Sequence, residues 1–175
     1  MTPRRTAAAR LKGIGYQVFY RLPAVVRRRV IRLVVPTYTV GAVILVRDGD
    51  DRLLLLRQPP GFGWSLPGGM IDRGEQPVEC AVRELAEETG LGVGVAELAA
   101  AAPSAVAHPR GRWVDFVFEV RVDPDDHELV VDGGEVLEAR WCSVASLPPL
   151  TVPAARLLAR YGLGPYRDYQ ELPGS

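Results

Sequence analysis

The spacing of hydrophobic positions changes near residue 37 of the chain. Upstream of that point, apolar residues recur three or four positions apart, which predicts one stripe along an amphipathic helix: Leu11, Ile14, Val18, Leu22 and Val25. Pro23 suits the start of a second short helix, and Pro36 ends it because the residue before a proline avoids helical dihedral angles. We therefore expect a helical arm over residues 1–36.

Downstream of residue 37, short apolar runs and alternating patterns predict β-strands. The predicted strands cover residues 37–47, 52–57, 64–66, 93–101, 112–122 and 136–142. The first two are joined by a polar turn signal of hairpin type. Helices are predicted at residues 77–89, between Pro77 in the first turn and Gly90 as the C-terminal cap, and at residues 151–161. Several strands around few helices predict an α+β fold, in the form of a mixed sandwich.

The composition fits one ordinary domain with an appendage. The chain has 175 residues, of which 47% are hydrophobic and 24% charged, so a core can form without a disulfide or a structural metal. No apolar run reaches the roughly 18 residues that a membrane span needs. Cys80 and Cys142 lie in unrelated contexts, which favours a reducing compartment and a cytoplasmic protein. His108 and His127 are scattered, are expected in loops and predict no zinc site.

The net charge of zero hides a division along the chain. Residues 1–36 carry nine basic side chains and no acidic one, so the remaining 139 residues carry the other 12 basic groups and all 21 acidic ones. A basic arm beside an acidic body can dock on that body, or it can bind a polyanion such as an anionic membrane or RNA. We favour docking as the simpler interpretation and keep nucleic acid or membrane contact as the alternative.

The predicted helix at residues 77–89 has two chemically different faces. Its apolar residues fall together, whereas Glu84, Glu87 and Glu88 share a sector on the other side at spacings of three and four residues. Like charges at these spacings repel one another by a few tenths of a kcal/mol per pair. A hard divalent cation would relieve the repulsion, and carboxylate oxygens suit Mg²⁺ or Mn²⁺. The alternative is a solvated acidic surface.

The segment from Gly69 to Leu91 resembles the signature of the Nudix hydrolases, G-x5-E-x7-R-E-U-x-E-E-x-G-U, in which U is a bulky aliphatic residue. Every fixed position is met in this sequence, by Gly69, Glu75, Arg83, Glu84, Leu85, Glu87, Glu88, Gly90 and Leu91. The flanking Trp-Ser-Leu-Pro-Gly-Gly segment at residues 64–69 is also similar to the family pattern. The resemblance implies an α/β/α sandwich with a mixed β-sheet, and the helical arm predicted from the hydrophobic spacing is an N-terminal extension outside it. We expect a Nudix domain over residues 37–163 and a tail over residues 164–175.

The resemblance also implies roles for individual residues. In the family, the residues matching Glu84, Glu87 and Glu88 coordinate the divalent cations together with the carbonyl at Gly69, and one of the glutamates is a candidate general base. The residue matching Arg83 orients a glutamate, and the one matching Glu75 braces the loop. Many members of the family pair as homodimers.

Some members use a further acid outside the signature as the base, and no motif fixes its position. Our candidates, in order of preference, are Glu135, Glu138 and Glu128. Arg57 is a candidate phosphate clamp, and Trp64 and Trp113 are candidates for stacking on a base. Core packing and surface charge are the alternatives for these three residues. We expect specificity to lie in loops at residues 102–112 and 123–134.

Taken together, the sequence predicts a Mg²⁺-dependent hydrolase of a diphosphate linkage in a nucleotide-type substrate, a nucleoside diphosphate joined to another group, by water attack at phosphorus. Two alternatives stay open. One is a module of the same fold that senses a nucleotide without cleaving it. The other is an enzyme of this family that uses the basic arm to associate with RNA or with a membrane.

Overall fold

The computed structural model describes residue 13 and residues 16–108, 111–126 and 128–168. Leu11 and Ile14 of the predicted apolar stripe, His127, and the end of the predicted tail lie outside the described residues. The chain divides into two compact units, residues 1–37 and residues 38–175. Within the described residues, no helix has both the length and the apolar character needed to cross a membrane.

The N-terminal unit contains helix α1, Ala24–Val34. It begins directly after Pro23, which has an extended conformation, and it ends at Val34, two residues before Pro36. Residues 16–21 are helical as well. The predicted division of the arm into two helices at Pro23 therefore agrees with the described residues.

The second unit is built on a seven-stranded mixed sheet. Its strands are β1 (Thr39–Arg47), β2 (Leu53–Arg57), β3 (Trp64–Ser65), β4 (Gly68–Met70), β5 (Ala99–His108), β6 (Trp113–Arg121) and β7 (Glu138–Cys142). The main path runs in the order β3-β2-β1-β6-β5, with β4 paired to β1 and β7 paired to β2. Among the strand pairs of the described residues, β1–β6 is parallel, with Gly41 opposite Asp115, and the others are antiparallel.

Two helices cover the two faces of this sheet. Because side chains alternate along a strand, Ile44 and Val46 of β1 face helix α2 (Pro77–Thr89), whereas Leu45 lies on the face covered by helix α3 (Val152–Ala159). Each face has its own cluster of buried apolar residues. The fold is the predicted α+β sandwich with helices on both sides of a mixed sheet.

The segment between α2 and β6 differs from the prediction. A strand was expected over residues 93–101, but Val95–Glu97 forms a 3-10 turn, in which the Glu97 side chain accepts a hydrogen bond from Gly94 N at 2.6 Å. The strand is instead Ala99–His108, so most of the expected specificity loop at residues 102–112 is sheet. The alanine-rich segment carries too weak an alternation to predict its strand, which forms by pairing with β6.

The predicted position of His108 is also wrong. It was expected in a loop, but it is the last residue of β5 and is buried. Its partner across the ladder is Trp113, and the two rings stack with their centroids 4.5 Å apart. The residue is buried because it lies at a register position opposite a large aromatic side chain.

Candidate functional site: a carboxylate helix against a Gly-Gly strand

Local signals position helix α2 within the site. Gln76 and Glu79 form a capping box at its start, Pro77 occupies the first turn, and Gly90 ends it in the left-handed conformation with φ 75°. Cys80, Ala81 and Leu85 are fully buried in the core. Because these residues anchor the apolar face of the helix, the side chains of Arg83, Glu84 and Glu87 lie outside the apolar cluster.

Arg83 connects the acidic residues of the site. Its guanidinium is paired with both carboxylate oxygens of Glu75, Nε to Oε1 at 2.8 Å and Nη2 to Oε2 at 3.1 Å. Its Nη1 also donates to Glu84 Oε1 at 2.9 Å and to Glu87 Oε2 at 3.0 Å. One arginine therefore neutralises part of the repulsion among three acids and holds the loop that contains Glu75 against the helix.

Glu75 is held as a carboxylate by these contacts. The hydrogen bond from Arg83 and a second one from the backbone N–H of Asp72 lower the pKa of Glu75 to about 2. Glu75 is therefore ionised at every physiological pH and is paired with Nε and Nη2 of Arg83. Such a carboxylate is suited to bracing the loop, which is the role that the resemblance implies.

Glu88 has a different environment. It is only 7% exposed; its Oε1 accepts a hydrogen bond from Gln58 Nε2 at 2.7 Å, and its Oε2 accepts one from Gly68 N at 2.9 Å. Burial raises the pKa of Glu88 to about 7, because the hydrogen bond from Gly68 only partly offsets desolvation and the negative charges of Glu84, Glu135 and Glu87. A buried anion surrounded by other acids is suited to a cation partner.

Glu84 lies directly against the Gly-Gly strand. A Cβ atom added to Gly69 would overlap the Glu84 carboxylate, so any other residue there would force this flexible side chain to move. Glu84 and Gly69, two of the expected ligand residues, therefore lie next to each other. Glu87 is one turn from Glu84 and is 61% exposed, with its Oε2 engaged by Arg83.

These residues fit a hard divalent cation. Among the described residues, no three His, Cys, Asp or Glu side chains are grouped closely enough to form a ready-made metal site. Arg83 engages Glu84 and Glu87, and Gln58 and Gly68 engage Glu88. The donors that could close on an ion are all oxygens. Cys80 is not a competing soft ligand, because burial raises the pKa of its thiol to about 11.

The acids outside the signature are placed differently from one another. Glu138 lies between two arginines, 2.8 Å from Arg57 Nη2 and hydrogen-bonded to Arg140, and its pKa is lowered first by Arg140 and then by Arg57. It is therefore a poor base. Glu135 lies close enough to Glu88 to raise the pKa of that residue. Glu128 is exposed and is not brought to these groups by any described contact.

The structure brings two of the three candidate substrate residues together: Arg57 lies opposite Trp64 in the β2–β3 ladder, whereas Trp113 lies on β6. Trp64 is 7% exposed, packs in the core and has Arg140 Cζ 4.6 Å from its ring centroid, so we leave it out of the candidate site. Arg57 is paired with Glu138 at the end of β2. Trp113 is half-buried and lines a cleft of about 370 Å³ beside the Gly-Gly strand, together with Gly41, Gly69, Met70 and Asp115.

Sequence reasoning missed several polar residues of the site. Gln58 contacts Glu88, and its own Oε1 accepts a hydrogen bond from Ser65 Oγ at 3.2 Å. Asp115 Oδ2 accepts a hydrogen bond from Trp113 Nε1 at 3.1 Å and lies 3.0 Å from His108 Nε2, although the latter pair lacks hydrogen-bond geometry. Only pairing across the sheet brings these residues to the site, so local spacing carries no signal for them.

A mixed sheet between helices, with a carboxylate-bearing helix packed on a Gly-Gly strand, defines the Nudix hydrolase class. Residues 37–161, which are 125 of the 175 residues, match the NUDIX domain family model. The chain belongs to the NUDIX domain family and is an enzyme of the Nudix hydrolase class.

Two relatives illustrate the likeness in sequence. A putative 8-oxo-dGTP diphosphatase of Bacillus subtilis (strain 168) is 32% identical over 116 residues, which are 66% of this chain and 74% of the relative. The NAD-capped RNA hydrolase NudC of Pseudomonas aeruginosa (strain LESB58) is 34% identical over 129 residues, which are 72% of this chain and 43% of the relative. The match with NudC therefore spans less than half of that protein.

Solved structures show the same fold at low identity. The NUDIX domain of Shewanella oneidensis NrtR, crystallised with ADP-ribose, has a TM-score of 0.58 at 16% identity and covers 83% of this chain and 95% of its own. A MutT NUDIX hydrolase from Burkholderia pseudomallei has a TM-score of 0.56 at 24% identity, over 71% of this chain and 98% of its own. At these identities the likeness is one of fold.

Proposed function

We propose that the protein hydrolyses a diphosphate linkage in a nucleotide-type substrate, a nucleoside diphosphate joined to another group, and that it does so with Mg²⁺ or Mn²⁺. The observation that carries this proposal is the environment of Glu88, a buried carboxylate oriented by Gln58 and Gly68 beside two further glutamates. Pyrophosphate-bond hydrolysis in general is supported by the family and by the relatives.

Each residue of the candidate site would have its own role in the reaction. Glu84, Glu87, Glu88 and the carbonyl of Gly69 would hold the cation, which when bound offsets negative charge on the diphosphate oxygens and favours formation of a nucleophilic hydroxide. Arg83 keeps Glu84 and Glu87 in position, and Glu75 keeps Arg83 in position. Glu135 is our candidate for accepting a proton from the attacking water.

Two features would bind the substrate outside the cation site, one its organic part and the other a phosphate. The cleft beside Gly69 has an aromatic wall, Trp113, and a carboxylate, Asp115, so it can accept a planar ring and an N–H donor. Arg57 is 39% exposed in its side chain and could contact a phosphate once it is released from Glu138. The names of the relatives suggest an oxidised nucleoside triphosphate and a dinucleotide cap as first substrates to test.

The test is hydrolysis of a substrate panel by the full chain, with Mg²⁺, with Mn²⁺ and with EDTA. The panel contains 8-oxo-dGTP, NAD⁺, NAD-capped RNA and ADP-ribose. Glu88→Gln keeps the size of the side chain but removes an anionic ligand, so turnover of the best substrate should fall by at least about a hundredfold. Glu119→Gln is the matched control, because Glu119 is exposed on β6 and outside the site.

Two results would overturn the proposal. The first is undiminished hydrolysis in EDTA or by Glu88→Gln. The second is specific nucleotide binding, measured by calorimetry, without cleavage of any member of the panel, which is the behaviour of a sensing module of this fold.

A further inference from the structure

Helix α1 has an apolar side and a basic side. At 100° per residue, the two sets occupy separate sectors of the helix. The apolar sector contains Val26, Val30, Leu33 and Val34, and the basic sector contains Arg28, Arg29 and Arg32. Val25 lies among the arginines, and Arg27 lies at the edge of the apolar sector, between Val34 and Ile31.

The apolar side chains of the helix are uncovered. No residue of α1 is buried, and Leu33 and Val34 are 86% and 76% exposed. The helical residues before Pro23 add two exposed aromatic rings, those of Tyr16 and Tyr20. A row of large exposed apolar side chains marks an interaction site far more often than a water-facing surface.

The positive charge of the arm indicates the chemistry of the partner that would bind α1. The arm carries nine basic side chains and no acidic one over residues 1–36. A second copy of the helix would cover the apolar sector but would leave the arginines of both copies without an anionic partner. RNA would satisfy the arginines through its phosphates but would leave the valines and Leu33 in water. An anionic lipid bilayer supplies phosphates and an adjoining apolar phase within the reach of one helix.

We propose that α1 lies in the plane of an anionic membrane surface. Its apolar sector enters the acyl boundary, its arginines bind lipid phosphates, and Tyr16 and Tyr20 lie at the level of the headgroups. Such a helix lies on the bilayer and does not span it, which its length of 11 residues already requires. The arm then brings the hydrolase to the membrane surface, whichever diphosphate it cleaves.

The experiment is sedimentation of the full chain with vesicles of phosphatidylcholine alone or with about 30% phosphatidylglycerol, at low salt and at high salt. Two double variants separate the contributions. Val30→Ser with Leu33→Ser removes the apolar contact without changing charge, and Arg28→Glu with Arg29→Glu reverses two charges. Each should weaken retention on anionic vesicles by about tenfold or more.

The matched control is Arg160→Glu with Arg167→Glu, which makes the same change of charge outside the arm on two exposed side chains. It should keep most of the retention. Thermal unfolding and light scattering of every variant should match the wild-type chain, because no buried contact is altered.

Three outcomes would overturn the proposal. One is the absence of retention, or equal retention on neutral vesicles. Another is retention that the two serine substitutions leave unchanged and that a short RNA displaces, which would identify a polyanion site. The third is loss of stability or of a dimer in the arm variants without vesicle binding, which would show that the arm docks on protein.

Discussion

Gln58 Nε2 donates a hydrogen bond to Glu88 Oε1 over 2.7 Å, and so joins the end of β2 to the last turn of α2. The donor is neutral. It can therefore orient the carboxylate without competing for its charge, whereas a lysine or arginine at the same place would oppose cation binding. Ser65 Oγ in turn donates to Gln58 Oε1 at 3.2 Å, which fixes the orientation of the amide. Gln58 is thus a positioning residue for Glu88.

Replacing Gln58 by methionine should lower kcat by about tenfold or more with little change in KM, because the substitution disturbs a carboxylate that would hold the cation and does not bind the organic part of the substrate. It should also weaken Mn²⁺ binding to the substrate-free protein, measured by calorimetry, which a purely structural role would not do.

Ser65→Ala should show a smaller change in the same direction. Ser104→Ala is the control hydroxyl deletion, since Ser104 is exposed on β5. Wild-type Mn²⁺ affinity in Gln58→Met would contradict the positioning role.

We predict that any side chain at position 69 lowers the activity. In Gly69→Ala, the new methyl group must displace the Glu84 carboxylate, which is the end of a flexible side chain, so the fold should survive while kcat falls by about ten- to a hundredfold. Gly92→Ala is the matched control, because a Cβ there meets no atom within 4 Å. Activity assays and thermal unfolding separate the two effects. Full activity in Gly69→Ala would show that Glu84 need not lie against this strand.

Glu135 and Glu138 should behave differently when each is changed to glutamine. Glu138 is engaged by Arg57 and Arg140, so its loss should change stability by less than about 1 kcal/mol and act mainly on KM through a freed Arg57. Glu135 is our candidate base, and Glu135→Gln should lower kcat by about a hundredfold with little change in KM. Unchanged kcat in Glu135→Gln would reject it as the base.

The sequence predicted what local chemistry determines and missed what long-range pairing determines. Helix α2 matches its prediction at both ends because Pro77 and Gly90 are local signals. Strand β4 lies in none of the predicted elements, because Gly68 and Gly69 have little strand propensity and form a strand by pairing with β1.

The same limit applies to the candidate site. The residues of the signature can be identified from their spacing along the chain, but their arrangement in space cannot. The positions of Gln58 and Asp115 in the site depend on which strands lie beside α2 and β4. No local sequence pattern predicts that arrangement.

The raised pKa of Glu88 predicts how stability depends on pH in metal-free buffer. Its carboxyl titrates near 7 in the folded protein, against an ordinary value of 4.5. Between these two values the folded state binds a proton that the unfolded state has lost, so the free energy of unfolding should fall as pH rises from about 4.5 to 7. The expected loss is on the order of 1–3 kcal/mol at most, and it should be complete above pH 7.

Thermal unfolding in EDTA from pH 5 to pH 8 measures this loss, and the Glu88→Gln variant is the reference because it cannot titrate. The difference in Tm between wild type and variant should grow in favour of the variant as pH rises. Adding Mg²⁺ at pH 8 should stabilise the wild type more than the variant, since only the wild type has the anion to bind it. Parallel curves for the two proteins over the whole range would show that Glu88 is ionised throughout.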